Sequence, residues 1–195
     1  MTIRGRDGEL QAFEAMLDRY PLGPISVVSD SYDYDNAVKI FWCEKLVEKV
    51  NARYDRAKQI EPDGHHQIVI RPDSGDAKAN VVMTLDHIAL KYGVQRSNEC
   101  GSKVFRVVSD KFRVIQGDGI NMASYGALLQ HLHDCGWSVE NLVVGSGGGL
   151  LQTVDRDTRS TRRTSGSSGR AGPPARSPSA IPRRSGTSAC RSRHS

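Results

Sequence analysis

Short runs rich in Val and Ile recur through the first 150 residues of the chain, and each is followed by Asp, Gly or Ser. Compact runs of this kind predict strands that are buried on both faces, as in a parallel sheet. The residues after each run turn the chain and bind polar groups. The predicted strands cover residues 25–30, 67–73, 112–119 and 141–149.

Between these runs, apolar residues recur at helical spacing and predict amphipathic helices over residues 8–20, 35–54, 78–92 and 122–135. Residues 55–66 are polar and predict a loop, and the β-rich run at 104–108 predicts an extra strand or hairpin. The predicted buried stripes are Leu10, Phe13 and Leu17; Val38, Trp42, Leu46 and Val50; Val81, Leu85 and Ile88; and Met122, Tyr125, Leu129 and Leu132.

Strands that alternate with helices predict parallel pairing and an α/β fold. The pattern supplies about four β-α units, whereas a closed eight-unit barrel needs roughly 200–250 residues. The units therefore predict either an open sheet or part of a barrel, and the pattern alone does not decide between them.

The last 43 residues (153–195) differ in composition from the rest. They hold ten Arg, ten Ser, no Lys and no aromatic residue, so we expect a disordered tail over 158–195 after a folded domain over 1–157. One interpretation is an Arg/Ser-rich arm that binds RNA. The interpretation that we favour is translation in a wrong frame, because a GC-rich gene read out of frame yields this composition.

Charge and hydropathy exclude several function classes. The tail carries a net charge of +8 and the preceding residues −3, so the basic balance gives no reason to expect nucleic acid on the folded part. No run approaches the roughly 18 apolar residues of a membrane helix, and the start lacks an apolar signal region. The four Cys show no zinc-ligand spacing, so we expect reduced thiols in a cytoplasmic protein that is not bound to a membrane.

Polar and glycine clusters follow all four predicted strands, at 29–33, 71–75, 116–119 and 145–149. In a parallel α/β fold, ligands bind outside the carboxyl ends of the strands. The glycines of 145–149 suit a phosphate, whose oxygens accept hydrogen bonds from closely approaching backbone N–H groups. A flexible loop is the alternative interpretation, since no Lys-Ser/Thr pair follows as in a Walker A loop.

Individual side chains in these clusters suit a phosphorylated sugar. Asp30, Asp73 and Asp118 offer carboxylates for hydroxyls or Mg²⁺, and Arg71 offers a planar fork for phosphate or pyrophosphate. Each Asp could equally be a helix cap or a turn residue, and we expect Asp33 and Asp35 to be caps. The histidines indicate no metal site.

Four ordered motifs carry a specific resemblance: VVSDSYD at 27–33, IRPDSG at 70–75, RVIQGDG at 113–119 and GSGGGLLQ at 145–152. They resemble the nicotinate phosphoribosyltransferase-like family, in its nicotinamide-using branch, and WSVEN at 137–141 looks like the family's lead-in to the last glycine loop. The resemblance runs from about residue 2 to residue 157. It implies a partial (β/α) barrel of the type II phosphoribosyltransferase kind.

The resemblance also implies a reaction. Family members make nicotinamide mononucleotide and pyrophosphate from nicotinamide and 5-phosphoribosyl 1-pyrophosphate, with Mg²⁺ carried on the pyrophosphate rather than bound directly by protein ligands. ATP use and a homodimer are further implications. By resemblance, Asp30 and Asp73 support catalysis, and the substrate-binding residues are Arg71, Asp73, Gly117, Asp118, Gly147, Gly148 and Arg156.

Several family features have no counterpart in this sequence. The resemblance places the phosphorylatable His, the Asp that recognises nicotinamide, the ring-stacking aromatic residue and an N-terminal domain upstream of the matched segment. We therefore expect an internal piece of the enzyme that is inactive alone. The alternative is a non-catalytic nucleotide- or RNA-binding protein that uses the basic tail.

Overall fold

Four parallel strands form the central sheet of the computed structural model, which describes residues 5–100 and 103–145. They are β1 (Ile25–Val28), β2 (Ile68–Arg71), β5 (Phe112–Gln116) and β6 (Leu142–Val144), and a separate pair is formed by β3 (Val94–Cys100) and β4 (Lys103–Val108). The α-helices are α1 (Glu9–Arg19), α2 (Tyr34–Asn36), α3 (Val47–Ile60), α4 (Ala77–Tyr92) and α5 (Met122–Asp134). A π-helix (Ala37–Lys45) joins α2 to α3, and short 3₁₀ helices cover Arg6–Gly8 and Val139–Asn141.

The central sheet has the order β1-β2-β5-β6, with every neighbouring pair parallel. Val27 lies opposite Ile70, Ile70 opposite Val114, and Val114 opposite Leu142. The predicted α/β class and the parallel pairing are confirmed, and each of the four predicted runs contains a strand that is shorter than the run. Because the strands are parallel, their carboxyl ends share one edge of the sheet, and the predicted polar clusters follow there.

Alternate strand residues build the hydrophobic core. Ile25, Val27, Ile68, Ile70 and Phe112 are at most 6% exposed, and the residues between them are half-buried or exposed. The prediction of strands buried on both faces was therefore wrong within the described residues, because the helices cover one face only. Helix residues complete this core: Phe13, Leu17, Trp42, Leu46, Val50, Val81, Leu85, Ile88, Leu128 and Leu132.

One loop prediction and one predicted helix face needed correction. The segment 55–66 was predicted as a loop, but α3 continues to Ile60. Its polar residues cover the exposed side of a helix, while Ala57 stays fully buried. In α5 the buried residues are Leu128 and Leu132, whereas Met122 is 79% exposed. Of the predicted stripe, Leu132 is therefore confirmed as a core residue, whereas Leu128 takes the core position that was predicted for Leu129, and Met122 faces solvent.

The π-helix ties the first strand end to the core. The Leu46 N–H donates to the Phe41 carbonyl, an i to i−5 bond that defines this wider helix. The Trp42 ring stacks on Phe13 at 4.9 Å, and its indole N–H donates to the Ser29 hydroxyl at 3.1 Å. Tyr92 of α4 donates its hydroxyl to the Trp42 carbonyl. These contacts hold the residue that follows β1 against the helix layer.

The predicted extra hairpin is present as an antiparallel pair of β3 and β4. It begins earlier than predicted, at Val94, directly after Gly93 ends α4 with a φ of 83°. Asn141 joins β4 to the start of β6, because its buried amide bonds the backbone of Val108, Arg106 and Ser138. The segment that carries WSVEN therefore packs against the hairpin.

A buried arginine holds the opposite, amino-terminal end of the sheet. Arg53 is 7% exposed and donates to the carbonyl oxygens of Tyr20, Gly23 and His66 at 2.7–2.8 Å. His66 is also buried; its Nδ1 accepts from the Gly23 N–H, and its Nε2 lies 3.0 Å from the Glu61 carbonyl oxygen. These contacts connect α3 to the loops before β1 and β2.

The predictions for residues 146–195 lie outside the described residues. They comprise the disordered tail, most of the last glycine loop, and the site residues Gly147, Gly148 and Arg156. Among the residues that the structure describes, no helix is both long and apolar enough to cross a bilayer.

Candidate functional site

The candidate site lies at the carboxyl edge of the central sheet. Parallel pairing continues one residue beyond β1, where the buried Ser29 donates its N–H to the Arg71 carbonyl at 3.0 Å. The Ser29 hydroxyl, which accepts from Trp42, donates in turn to the Val27 carbonyl. The backbone on both sides of this point is thus fixed, and the next residue, Asp30, stands at the edge of the sheet.

Asp30 contacts the loop that follows β2. One of its carboxylate oxygens, Oδ2, accepts from the Asp73 N–H at 2.7 Å and from the Ser74 hydroxyl at 2.6 Å. The sequence placed Asp30 among the catalytic candidates. In the structure its described role is to join the end of β1 to the loop between β2 and α4.

Arg71 and Asp73 form an ion pair at the end of β2. An Arg71 Nη2 to Asp73 Oδ1 distance of 2.5 Å joins them, and both side chains are partly exposed at 38% and 46%. Exposure of this extent leaves the pair open to competition from water and from ligand anions. The Arg71 Nε–H is buried and has no partner within the described part of the chain.

Gly117 and Gly145 lie beside Arg71. A Cβ on Gly117 would stand 4.0 Å from an Arg71 nitrogen and 3.8 Å from the Gly145 Cα. The Gly145 N–H donates to the Gln116 carbonyl at 3.0 Å, which continues the pairing of β5 and β6 into the loops. Arg71, Gly117 and Gly145 therefore lie together at the ends of three neighbouring strands. This arrangement suits an anion, because backbone N–H groups can approach it closely where no side chain intervenes.

Asp118 stands at the tip of the loop between β5 and α5. Its carboxylate is exposed and makes no hydrogen bond within the described ranges, while its carbonyl accepts from the buried Gln116 amide. Gly119 follows with a φ of 62°, and the Ser124 hydroxyl donates to its carbonyl. The loop thus holds the Asp118 backbone from both sides and leaves the carboxylate available for a ligand.

Asp33 and Asp35 were both predicted as helix caps. Asp33 is the N-cap of α2 and accepts from the Asn36 N–H at 3.0 Å, as predicted. Asp35 is not a cap; it lies inside the first turn and pairs with Lys39 one turn later. The difference follows from where the chain enters the helix, which single-residue preferences do not specify.

Two residues near the site were not predicted from the sequence. Glu9, at the start of α1, is 2% exposed, and burial raises the pKa of its carboxyl group; Arg6 lowers that pKa, and Asp33 and Asp30 raise it further. Asn80 of α4 donates its amide to the Ser74 carbonyl at 2.9 Å. A charged residue in the first turn of a helix and an Asn in the second are ordinary surface patterns, so the sequence offered no signal for either.

The histidine and cysteine side chains of the described residues do not join this edge. His65 and His66 lie in the loop before β2, at the other end of the sheet, and His133 contacts its neighbour Asp134 on α5. Within the described ranges, no group of three or more His, Cys, Asp or Glu side chains converges as metal ligands. Cys43 and Cys135 are free thiols.

Comparison with known proteins identifies relatives of this chain. A model of the nicotinate phosphoribosyltransferase (NAPRTase) family matches residues 1–166. The nicotinamide phosphoribosyltransferase of Xanthomonas campestris pv. campestris (strain 8004) is 38% identical over 161 residues, which cover 82% of this chain and 31% of the relative. The enzyme of the same name from Acinetobacter baylyi is 29% identical over 168 residues, covering 81% and 32%. The chain thus spans about a third of the length of these curated relatives.

Proposed function

Because the chain belongs to the nicotinate phosphoribosyltransferase family, we propose that the carboxyl edge of its sheet forms part of a site for 5-phosphoribosyl 1-pyrophosphate and nicotinamide mononucleotide. The proposed reaction transfers the phosphoribosyl group to nicotinamide and releases pyrophosphate. Magnesium enters with the pyrophosphate substrate. The observation that carries the proposal is the meeting of Arg71, Gly117 and Gly145 beside the carboxylates of Asp73 and Asp118.

Arg71 is the proposed pyrophosphate contact. A planar guanidinium forms two parallel hydrogen bonds with phosphate oxygens, and its charge stabilises the negative charge that develops on the leaving pyrophosphate. Its partial exposure and its contact with Asp73 keep it at the surface of the site. The missing side chains of Gly117 and Gly145 leave space beside it for an anion.

Asp73 and Asp118 are the proposed contacts for the ribose. A carboxylate accepts hydrogen bonds from sugar hydroxyls, and it also favours the positive charge that builds up at the anomeric carbon as the pyrophosphate leaves. Holding both reactants in line contributes further, because the attack becomes effectively unimolecular. By resemblance, Gly148 and its neighbour Gly147 would bind the phosphate of the nucleotide, and Arg156 would be a further nucleotide contact.

We also propose that the sheet is an arc of a (β/α) barrel. Sequential strand order with helices packed on one face is the arrangement of a barrel wall. Ser26, on the opposite face of β1, is exposed, and Val69 and Ile115 are only half-buried. This face would line the interior in a longer family member.

Titration calorimetry with magnesium phosphoribosyl pyrophosphate and with nicotinamide mononucleotide tests the site. Arg71→Ala should weaken the binding of magnesium phosphoribosyl pyrophosphate more than that of the mononucleotide, because the removed guanidinium contacts the pyrophosphate, which the mononucleotide lacks. Asp118→Ala should weaken both by about 1.5–3 kcal/mol, the usual contribution of a hydrogen bond to a charged group.

Arg113→Ala is the matched control. Arg113 lies on the adjacent strand and carries the same charge, but it pairs with Asp110 at the amino-terminal end of the sheet. It should leave both affinities within about twofold, because long-range charge effects are screened in salt. Equal affinities in the wild type, Arg71→Ala and Asp118→Ala would refute the proposed site.

A further inference from the structure

The loop between β2 and α4 carries Asp73, and this loop has few features of its own that would fix the position of Asp73. Residues 73–76 are exposed, and Gly75 has a φ of 79° that a residue with a side chain rarely adopts. An exposed loop of this kind loses conformational entropy when it is ordered. Contacts from outside the loop must therefore fix the direction of the Asp73 carboxylate.

Ser74 is held from two sides. Its hydroxyl donates to Asp30 at 2.6 Å, beyond the end of β1, and its carbonyl accepts from Asn80 at 2.9 Å, in α4. The Asp73 N–H donates to the same Asp30 oxygen. The peptide segment around Asp73 and Ser74 is thus fastened between a strand end and a helix, while the Asp73 side chain is left to meet Arg71.

Asn80 also packs against the turn itself. A Cβ on Gly75 would lie only 3.1 Å from the Asn80 Nδ2 atom, so the amide occupies the space beside the glycine. The main chain of Asn80 belongs to the first turn of α4, where its N–H donates to the Asp76 carbonyl at 2.9 Å. The helix α4 therefore sets the position of the Asn80 side-chain amide, and the loop packs against this amide.

We propose that Ser74 and Asn80 are positioning residues for the ligand site. They act through Asp73 and Arg71, contact no ligand themselves, and hold the Asp73 carboxylate at the distance from Arg71 that the site requires. The inference rests on the proposed function, since it concerns how that site is held in its binding geometry.

Ligand affinity and stability must be measured together on the 195-residue chain. The variants are Ser74→Ala, Asn80→Ala and the conservative Ser74→Thr, which keeps the hydroxyl. The matched control is Asp76→Ala, because Asp76 lies in the same loop but caps α4 by accepting from Lys78 and Ala79. Calorimetry with magnesium phosphoribosyl pyrophosphate gives the affinity, and urea unfolding gives the stability.

Ser74→Ala and Asn80→Ala should each weaken binding by about tenfold, the order of effect of one hydrogen bond. Ser74→Thr should stay within about twofold of the wild type. Asp76→Ala should lose as much stability as Ser74→Ala, since a cap is removed, and yet keep its affinity. A merely structural role would instead make affinity follow stability in all four variants.

Hydrogen exchange at the Asp73 amide gives a readout that needs no ligand. Exchange should become faster in Ser74→Ala and Asn80→Ala than in Asp76→Ala. If the wild-type chain binds the ligand, and Ser74→Ala and Asn80→Ala change neither the affinity nor the exchange of the Asp73 amide, the inference is overturned but the proposed function is not. Failure of the wild-type chain to bind the ligand would overturn the proposed function, and the inference with it.

Discussion

Replacing Asn141 by Ala removes the side chain that joins the hairpin to the central sheet. The Asn141 side chain is fully buried; its oxygen accepts from the Val108 N–H at 2.9 Å, and its amide donates to the carbonyls of Arg106 at 2.9 Å and Ser138 at 2.8 Å. The contacts with Val108 and Arg106 join residues that are 33 and 35 positions apart in the sequence, whereas the contact with Ser138 is local. The substitution therefore removes the side-chain hydrogen bonds between β4 and the start of β6, while the backbone hydrogen bonds of Arg106 with Gly136 and Ser138 remain.

The magnitude follows from what each partner loses. The Val108 N–H is left buried without this acceptor, which costs about 1–3 kcal/mol. The two carbonyls keep other donors, the N–H groups of Ser138 and Asn141, so each loses only the roughly 0.5–1.5 kcal/mol of a net hydrogen bond. We expect the free energy of unfolding to fall by about 2–6 kcal/mol, a large share of the roughly 5–15 kcal/mol of a typical domain.

Urea unfolding followed by tryptophan fluorescence measures this loss. The chain has two Trp, Trp42 and Trp137, and both are at most 1% exposed, so unfolding changes the surroundings of each. Hydrogen exchange at Val108 reports the lost bond directly. Asn51→Ala is the matched control, because the Asn51 side-chain oxygen is buried without a partner among the residues that the structure describes, and Ala favours the helix that contains it.

Asn51→Ala should change stability by less than about 1 kcal/mol, or raise it. The reasoning is refuted if Asn141→Ala loses no more stability than Asn51→Ala, or if exchange at Val108 is unchanged.

Three further outcomes are expected. Arg53→Met should lower the free energy of unfolding by about 2–4 kcal/mol, because three carbonyls lose a charged donor, and a loss below about 1 kcal/mol in urea unfolding would contradict this. Burial raises the pKa of Glu9 above its usual 4.5, so the folded state holds the proton more tightly and stability falls as pH rises from about 4.5. Glu9→Gln should therefore be more stable than the wild type at pH 7, and this advantage should vanish below about pH 4.5. Equal pH dependence of unfolding in the two proteins would count against this. Burial also raises the pKa of the Cys43 thiol to about 11, so at pH 8 this thiol should be alkylated far more slowly than the half-buried Cys135. Peptide mapping after alkylation measures both rates, and equal rates would contradict the expected protection of Cys43.

Much of the fold could be predicted because the informative patterns are local. The runs that became β1, β2, β5 and β6 were recognisable from Val and Ile, and α4 from Val81, Leu85 and Ile88. Parallel pairing followed from the alternation of strands and helices, and it placed the polar clusters on one edge. The resemblance named the family that the comparisons then showed.

The errors arose where the pattern was ambiguous. Leu128 and Leu129 are adjacent and equally apolar, and only the packing of α5 against α4 makes Leu128 the buried one. The polar residues at the end of α3 suit a loop or an exposed helix face equally well. Strand runs rich in Val and Ile suggested burial on both faces, but how many layers cover a sheet is a property of the whole assembly.

By itself the sequence determined which residue types stand at the strand ends, namely carboxylates, an arginine and glycines. It could not determine that one oxygen of Asp30 holds both the Asp73 N–H and the Ser74 hydroxyl, or that Asn80 completes the loop. The Asp30 contacts join residues 43 and 44 positions apart, and hydrogen bonds act over about 3 Å. Only tertiary packing, through the pairing of β1 with β2 and the anchoring of Ser29 by Trp42, brings such atoms within that distance.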